Sequence, residues 1–160
     1  LRSAPQTAPK VEDAPLSTGR YNLACLLTLP PYQRKGYGRF LISFSYELSR
    51  KEGRVGTPER PLSDLGLVSY RSYWVYALLG ILSTHRGAIS VQELSDMTHF
   101  RTDDIVKTLT AFNLVRYFGG QHSIYVSPKA LETYYTNAKP NWVIQSDKVQ
   151  WTPYKERVGR

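Results

Sequence analysis

The chain has 160 residues, 41% hydrophobic content, a formal net charge of +8 and a pI near 9.6. That length holds one ordinary domain with at most a small satellite, and the apolar content is enough for a buried core. A single cysteine excludes internal disulfides and multi-cysteine zinc sites, no apolar run approaches the ~18 residues of a membrane span, and no basic-then-apolar signal pattern opens the chain. The basic balance points to polyanions, either nucleic acid or a phosphate-rich ligand, or else to a solvated basic surface.

Residues 1 to about 20 carry three prolines and almost no large apolar side chain. Such a segment buries too little surface to offset its ordering entropy, which predicts a disordered arm. Order is expected from Tyr21. "YNLACLLTLP" is a continuous apolar run closed by a double proline and reads as a buried strand. After "QRKGYG", the spacing of Tyr37, Leu41, Phe44 and Leu48 predicts a helix that ends near Gly53. "VGTPERPLSDLG" is a loop. A second helix is predicted from Leu67 to about His85, with Gly87 just beyond its end and Asp64 a candidate cap before it. Its aromatic residues Tyr70, Tyr73, Trp74 and Tyr76 read as core packing rather than a ligand cage.

Ser90 and Glu93 have capping-box spacing and open a short helix, "VQELSDMT". Thr102 or Asp103 then caps a helix expected to turn Ile105, Val106, Leu109 and Phe112 inward. Two β-rich runs around Gly119 and Gly120 signal a hairpin. Helix, turn, helix and hairpin in succession make a winged-helix pattern over residues 87–128, followed by a short helix and an irregular tail over 129–160. A DNA-reading helix beginning with Asp103 and Asp104 and offering only Lys107 is a poor major-groove reader. His85, His99 and His122 show no metal spacing, so no metal site is expected.

A strand, a glycine turn and a helix N-terminus together make an anion site, because the first helical N–H groups lack partners and the macrodipole is positive there. Gly36 and Gly38 fit such a cradle, with Arg34, Lys35 and Arg39 adding charge. It is not a nucleotide P-loop, for no Gly-Lys-Ser/Thr ends it. It is not the dinucleotide fingerprint, for Leu41 stands where the third glycine belongs. On the bare pattern, a glycine turn needed only for packing is the stronger reading.

"QRKGYG" matches the Q/R-x-x-G-x-G/A motif of acetyl-coenzyme A-dependent N-acetyltransferases. From Tyr21 to Trp74, and more loosely to about Pro128, the chain resembles the C-terminal part of the catalytic domain of MYST histone lysine acetyltransferases. "HRGAISVQELSDMT" and "GGQHSIYVSPK" are most similar to the MOF-like branch. The resemblance implies an α+β fold: a partial acyl-CoA N-acetyltransferase core over residues 21–86, GNAT-like, before the winged-helix-like segment. It implies acetyl-coenzyme A as cosubstrate, its pyrophosphate held by the backbone of Gln33, Arg34, Lys35, Gly36, Tyr37, Gly38 and Arg39. Leu26, Leu27, Thr28, Ser63 and Ser72 would be further contacts.

A lysine ε-amine, with a pKa near ~10.4, needs a general base or desolvation before it can attack. The resemblance assigns the base to Glu59, in a loop stiffened by Pro58 and Pro61. Cys25 is the candidate acetyl acceptor or a residue lining the site. Its apolar run disfavours the thiolate, so direct attack from a ternary complex is the expected route. The implied partners are a histone tail, that of histone H4 first, with nucleosomal DNA and chromatin-complex subunits, and no membrane; the implied location is the nucleus. The rival reading is an inactive, truncated paralogue that serves as a chromatin-complex interaction module. The zinc finger, the early strands and the regulatory lysine of the family find no match in these residues, and the arm over residues 1–20 is expected to be unrelated to the family.

Overall fold

The computed structural model describes residues 21–118, 121–137, 142 and 144–152. The arm expected over residues 1–20 and the Gly119-Gly120 turn lie outside them. The described residues form five α-helices and one two-stranded antiparallel sheet, an α+β composition. In chain order these are α1 (Tyr37–Lys51), α2 (Asp64–Thr84), α3 (Val91–Thr98), α4 (Thr102–Ala111), β1 (Val115–Phe118), β2 (Gln121–Ile124) and α5 (Pro128–Asn137).

The apolar run over residues 21–29 is not the buried strand its composition suggests. Only Leu23 forms an isolated bridge, to Pro58, while Leu27 and Leu29 are 80% and 58% exposed. A strand exists by virtue of its ladder, and here just two backbone bonds tie the run to the following loop, from Asn22 N–H to the Thr57 carbonyl and from Glu59 N–H to the Leu23 carbonyl.

α1 starts after Gly36, whose φ of 90° is accessible to glycine at little cost, and stops at Glu52, with Gly53 at positive φ. Its buried positions are Ile42, Ser45, Tyr46 and Ser49. The expected face is the less buried one: Leu41 is 40% exposed, Tyr37 is exposed, and Phe44 and Leu48 are half-buried. The serines permit close packing because their hydroxyls bond back into the helix, Ser45 to the Ile42 carbonyl and Ser49 to the Ser45 carbonyl.

α2 is the central helix. By length and composition it could cross a membrane. Here it packs against α1, α3, α4 and α5, and Tyr70, Trp74, Val75, Leu78 and Leu79 supply the middle of the core. Its cap is Ser63, whose Oγ accepts from Gly66 N–H, rather than Asp64, which is the first helical residue. One hydrophobic cluster joins these residues to Ile42 and Tyr46 of α1, Leu94 of α3, Phe100 of the α3–α4 turn, Ile105 and Leu109 of α4, and Leu114. Each fully buried aliphatic or aromatic side chain contributes about 1.5–3 kcal/mol. Inside it the Trp74 indole donates to the Tyr46 hydroxyl at 2.9 Å, and Tyr46 meets Phe100 edge to face.

α3 carries the complete capping box of Ser90 and Glu93. α4 has Arg101 at its N-cap position, without a side-chain cap, one residue earlier than expected. Ile105 and Leu109 are fully buried and Phe112 packs on the core, but Val106 is 46% exposed. β1 and β2 pair in the register Val115–Ile124 to Phe118–Gln121.

Candidate active site

Three segments converge on one cleft of about 760 Å³: residues 23–28, the start of α1, and the loop from Pro58 into α2. The first turn of the approach to α1 is a 3-10 turn over Pro30–Tyr32. Gln33 donates from Nε2 to the Thr28 carbonyl at 3.0 Å and ties the loop back to the preceding segment. Arg34 and Gly36 both take positive φ, which turns the chain sharply into the helix. A Cβ on Gly38 would stand 3.9 Å from both Leu26 and Thr28, so it would project into the space between the cradle and that segment. The N-terminal ends of α1 and α2 both border the cleft, which makes it favourable to anions.

The cleft gathers most of the residues singled out from the sequence. Leu26, Leu27, Thr28, Gln33, Arg34, Gly36, Tyr37, Gly38, Arg39, Glu59, Ser63 and Ser72 all line it. Lys35 does not; its ammonium sits 5.7 Å from the Tyr32 ring centroid. Cys25 does not line it either, and it is exposed rather than enclosed in apolar surroundings as expected. Ser63 faces the cleft as the α2 cap, its Oγ already engaged by Gly66.

The sequence reading missed Tyr32, Leu65, Val68, Ser69 and Tyr70, which also line the cleft. For the α2 residues the signal was present. Leu65, Val68, Ser69 and Ser72 recur at helical spacing, so naming Ser72 selects the same face. Tyr70 is buried, and its hydroxyl has no hydrogen-bond partner. Burial, with the nearby Asp104 charge second, pushes that phenol well above its ordinary value, so it stays a neutral donor.

Glu59 is exposed on the cleft wall, and its backbone is fixed. Its own N–H donates to Leu23, and two residues earlier Thr57 accepts from Asn22. On the other side Gly56 N–H donates to the His99 carbonyl at 2.8 Å. Arg60 precedes Pro61 in a cis peptide and forms an ion pair with Asp104 of α4.

Arg39 separates this cleft from a second cavity of about 320 Å³, walled by α1, α2, α3 and Trp142. Its guanidinium lies 4.6 Å from the Tyr76 ring centroid, while Nε and one terminal nitrogen have no hydrogen-bond partner. Partial burial lowers its pKa, and the Tyr76 and Tyr73 rings oppose that shift. Among the described residues no cluster of three or more His, Cys, Asp or Glu side chains could hold a metal.

The MOZ/SAS family matches residues 14–149, so the match already begins within the arm expected to be unrelated to the family. "Histone acetyltransferase of the MYST family 1" of Arabidopsis thaliana is 60% identical over 138 residues, 86% of this chain and 31% of the relative. "Histone acetyltransferase ESA1" of Saccharomyces cerevisiae is 49% identical over the same shares, and "Histone acetyltransferase MOF" of Drosophila melanogaster is 46% identical over 86% of this chain and 17% of its own. The chain thus spans about a third of the length of the first two relatives. With the motif-bearing residues gathered on one cleft and the match running through nearly all the described residues, this chain belongs to the MOZ/SAS family.

Proposed function

We propose that this chain is the acetyl-coenzyme A-binding and proton-accepting part of a nuclear histone lysine N-acetyltransferase. The observation that carries the reading is the shared cleft. An anion-favouring helix start and a carboxylate on a loop with a fixed backbone border the same 760 Å³ space, in a chain of this family. The residues fit the cosubstrate: backbone N–H groups of Tyr37, Gly38 and Arg39 would receive the pyrophosphate, and the absent Cβ of Gly38 leaves it room. Acetyl-coenzyme A supplies the acetyl group as a thioester, and transfer releases the coenzyme as a thiol. Glu59 takes the proton that a lysine ε-ammonium must lose before its nitrogen can attack. The exposed Cys25, outside the cleft, favours direct attack over an acetyl-cysteine.

Residues 21–86 then form the acetyltransferase part, and 87–128 a winged-helix-like segment that braces it. Histone tails are cationic, so the basic residues of this +8 chain serve the coenzyme phosphates and nucleosomal DNA better than the tail. The histone H4 tail is the first substrate to try.

Acetyl transfer to a histone H4 peptide, followed by mass spectrometry, tests the reading. Glu59→Gln should lower kcat roughly 10²- to 10⁴-fold while calorimetric binding of acetyl-coenzyme A persists. Equal activity of parent and variant would falsify the assignment. A second reading, an interaction module without activity, is favoured by the single bridge that secures residues 21–29. It predicts that the parent neither binds acetyl-coenzyme A nor acetylates the peptide.

A further inference from the structure

Asp104 is the second of two aspartates in the first turn of α4, and its environment differs from that of its neighbour. Asp103 is exposed, whereas Asp104 is 2% exposed. Its two oxygens are divided between the two sides of Glu59. Oδ2 accepts from the Thr57 hydroxyl at 2.7 Å, and Oδ1 pairs with the Arg60 guanidinium. These partners stand two residues before and one residue after Glu59 in the loop. The α3–α4 turn adds the backbone bond from Gly56 to His99 and the bridge of Gly56 with Phe100.

A buried carboxylate is costly, and pairing it with a cation stabilises a fold only weakly, because desolvation offsets most of the Coulomb gain. Its two partners here suggest a different use, which is to fix position. An exposed glutamate on a loop has a wide choice of places; here the side chains on both sides of it, Thr57 and Arg60, are held by one helix end. We propose that Asp104 is a positioning residue for Glu59: α4 holds the Thr57–Glu59–Arg60 backbone at the height where the carboxylate reaches the cleft. This rests on the reading of Glu59 as the base. It gives the helix-turn-helix segment a part in the chemistry of the neighbouring cleft as well as in packing.

The test is a double-mutant cycle on the whole chain, with steady-state acetylation of a histone H4 peptide. Asp104→Asn keeps the shape and one acceptor but loses the charge that pairs with Arg60. It should lower kcat roughly 10- to 100-fold with the KM for acetyl-coenzyme A within about twofold. Added to Glu59→Gln it should lower kcat no further, because its action passes through Glu59. Arg60→Gln, at the half-exposed partner, removes the cation while keeping a hydrogen-bond donor for Asp104, and should reproduce part of the loss. Unchanged kcat in both Asp104→Asn and Arg60→Gln, or losses that multiply with that of Glu59→Gln, would overturn the proposal and leave the base assignment standing. Full activity of Glu59→Gln alone would sink the base assignment, and the proposal with it.

Discussion

A methyl group at Gly56 has no room. It would stand 2.6 Å from Asn22 Nδ2 and 2.7 Å from Ser49 Oγ, and Ser49 is buried. Gly56 is where residues 21–23, α1, the Glu59 loop and the α3–α4 turn meet, so the strain cannot be relieved by moving one surface side chain. Gly56→Ala should therefore destabilise the chain by about 1–3 kcal/mol, seen as a lower Tm in thermal unfolding. An unchanged Tm would mean that Asn22 simply swings away. The sequence marks this glycine as part of a loop and says nothing of its crowding. Asp104 is the same kind of case. A pair of aspartates at a helix start is ordinary first-turn composition, and only partners 44 and 47 residues away distinguish the buried one from the solvated one. The place of Glu59 on the cleft, by contrast, was implied by the resemblance, whose motif is local.

Among the elements, α1 is met by the C-terminal segment near both of its ends. Trp142 donates to the Lys35 carbonyl and stacks on Tyr37 at the helix start. Ser146 joins Glu47 and Arg50 in the last turns of the helix. Trp151 donates to Glu52 at the end. The Arg50 guanidinium, and after it the Ser146 hydroxyl, hold the Glu47 carboxyl below its ordinary value of 4.5. A depressed carboxyl stabilises the fold above its unfolded pKa and loses that contribution as pH falls through the folded one. Stability measured from neutral pH down to about 3 should then fall in the parent below the ordinary carboxyl value. The increment should be missing in Glu47→Gln; identical pH curves would count against the pairing of Glu47. The ends of α1 and α3 and the C-terminal end of α2 were readable because caps and glycines are local signals. The buried face of α1 was not, since a 3.6-residue period finds apolar stripes without saying which of them a neighbouring helix will cover.

At the scale of the molecule, one cluster of buried residues runs from α1 through α2 to α4 and the start of the hairpin. The regions that the sequence separates by composition at about residue 87 therefore share their interior. The apolar run over residues 21–29 was misread for a related reason: composition reports that a segment is suited to a sheet, while strand formation depends on neighbours that only the assembled fold supplies. Of the chain's three tryptophans, Trp74 lies in the core, Trp151 at the far end of α1, and Trp142 on the cradle itself. That distribution supplies an intrinsic optical reporter. The Trp142 indole shares a hydrogen bond and a ring face with the loop that would receive the pyrophosphate, so filling the cradle should change its emission. Titrating acetyl-coenzyme A into the parent should shift or quench the tryptophan fluorescence, and the signal should vanish in Trp142→Phe. The bond that straps the chain's end to its first helix would then also announce, in light, whether the cleft is occupied.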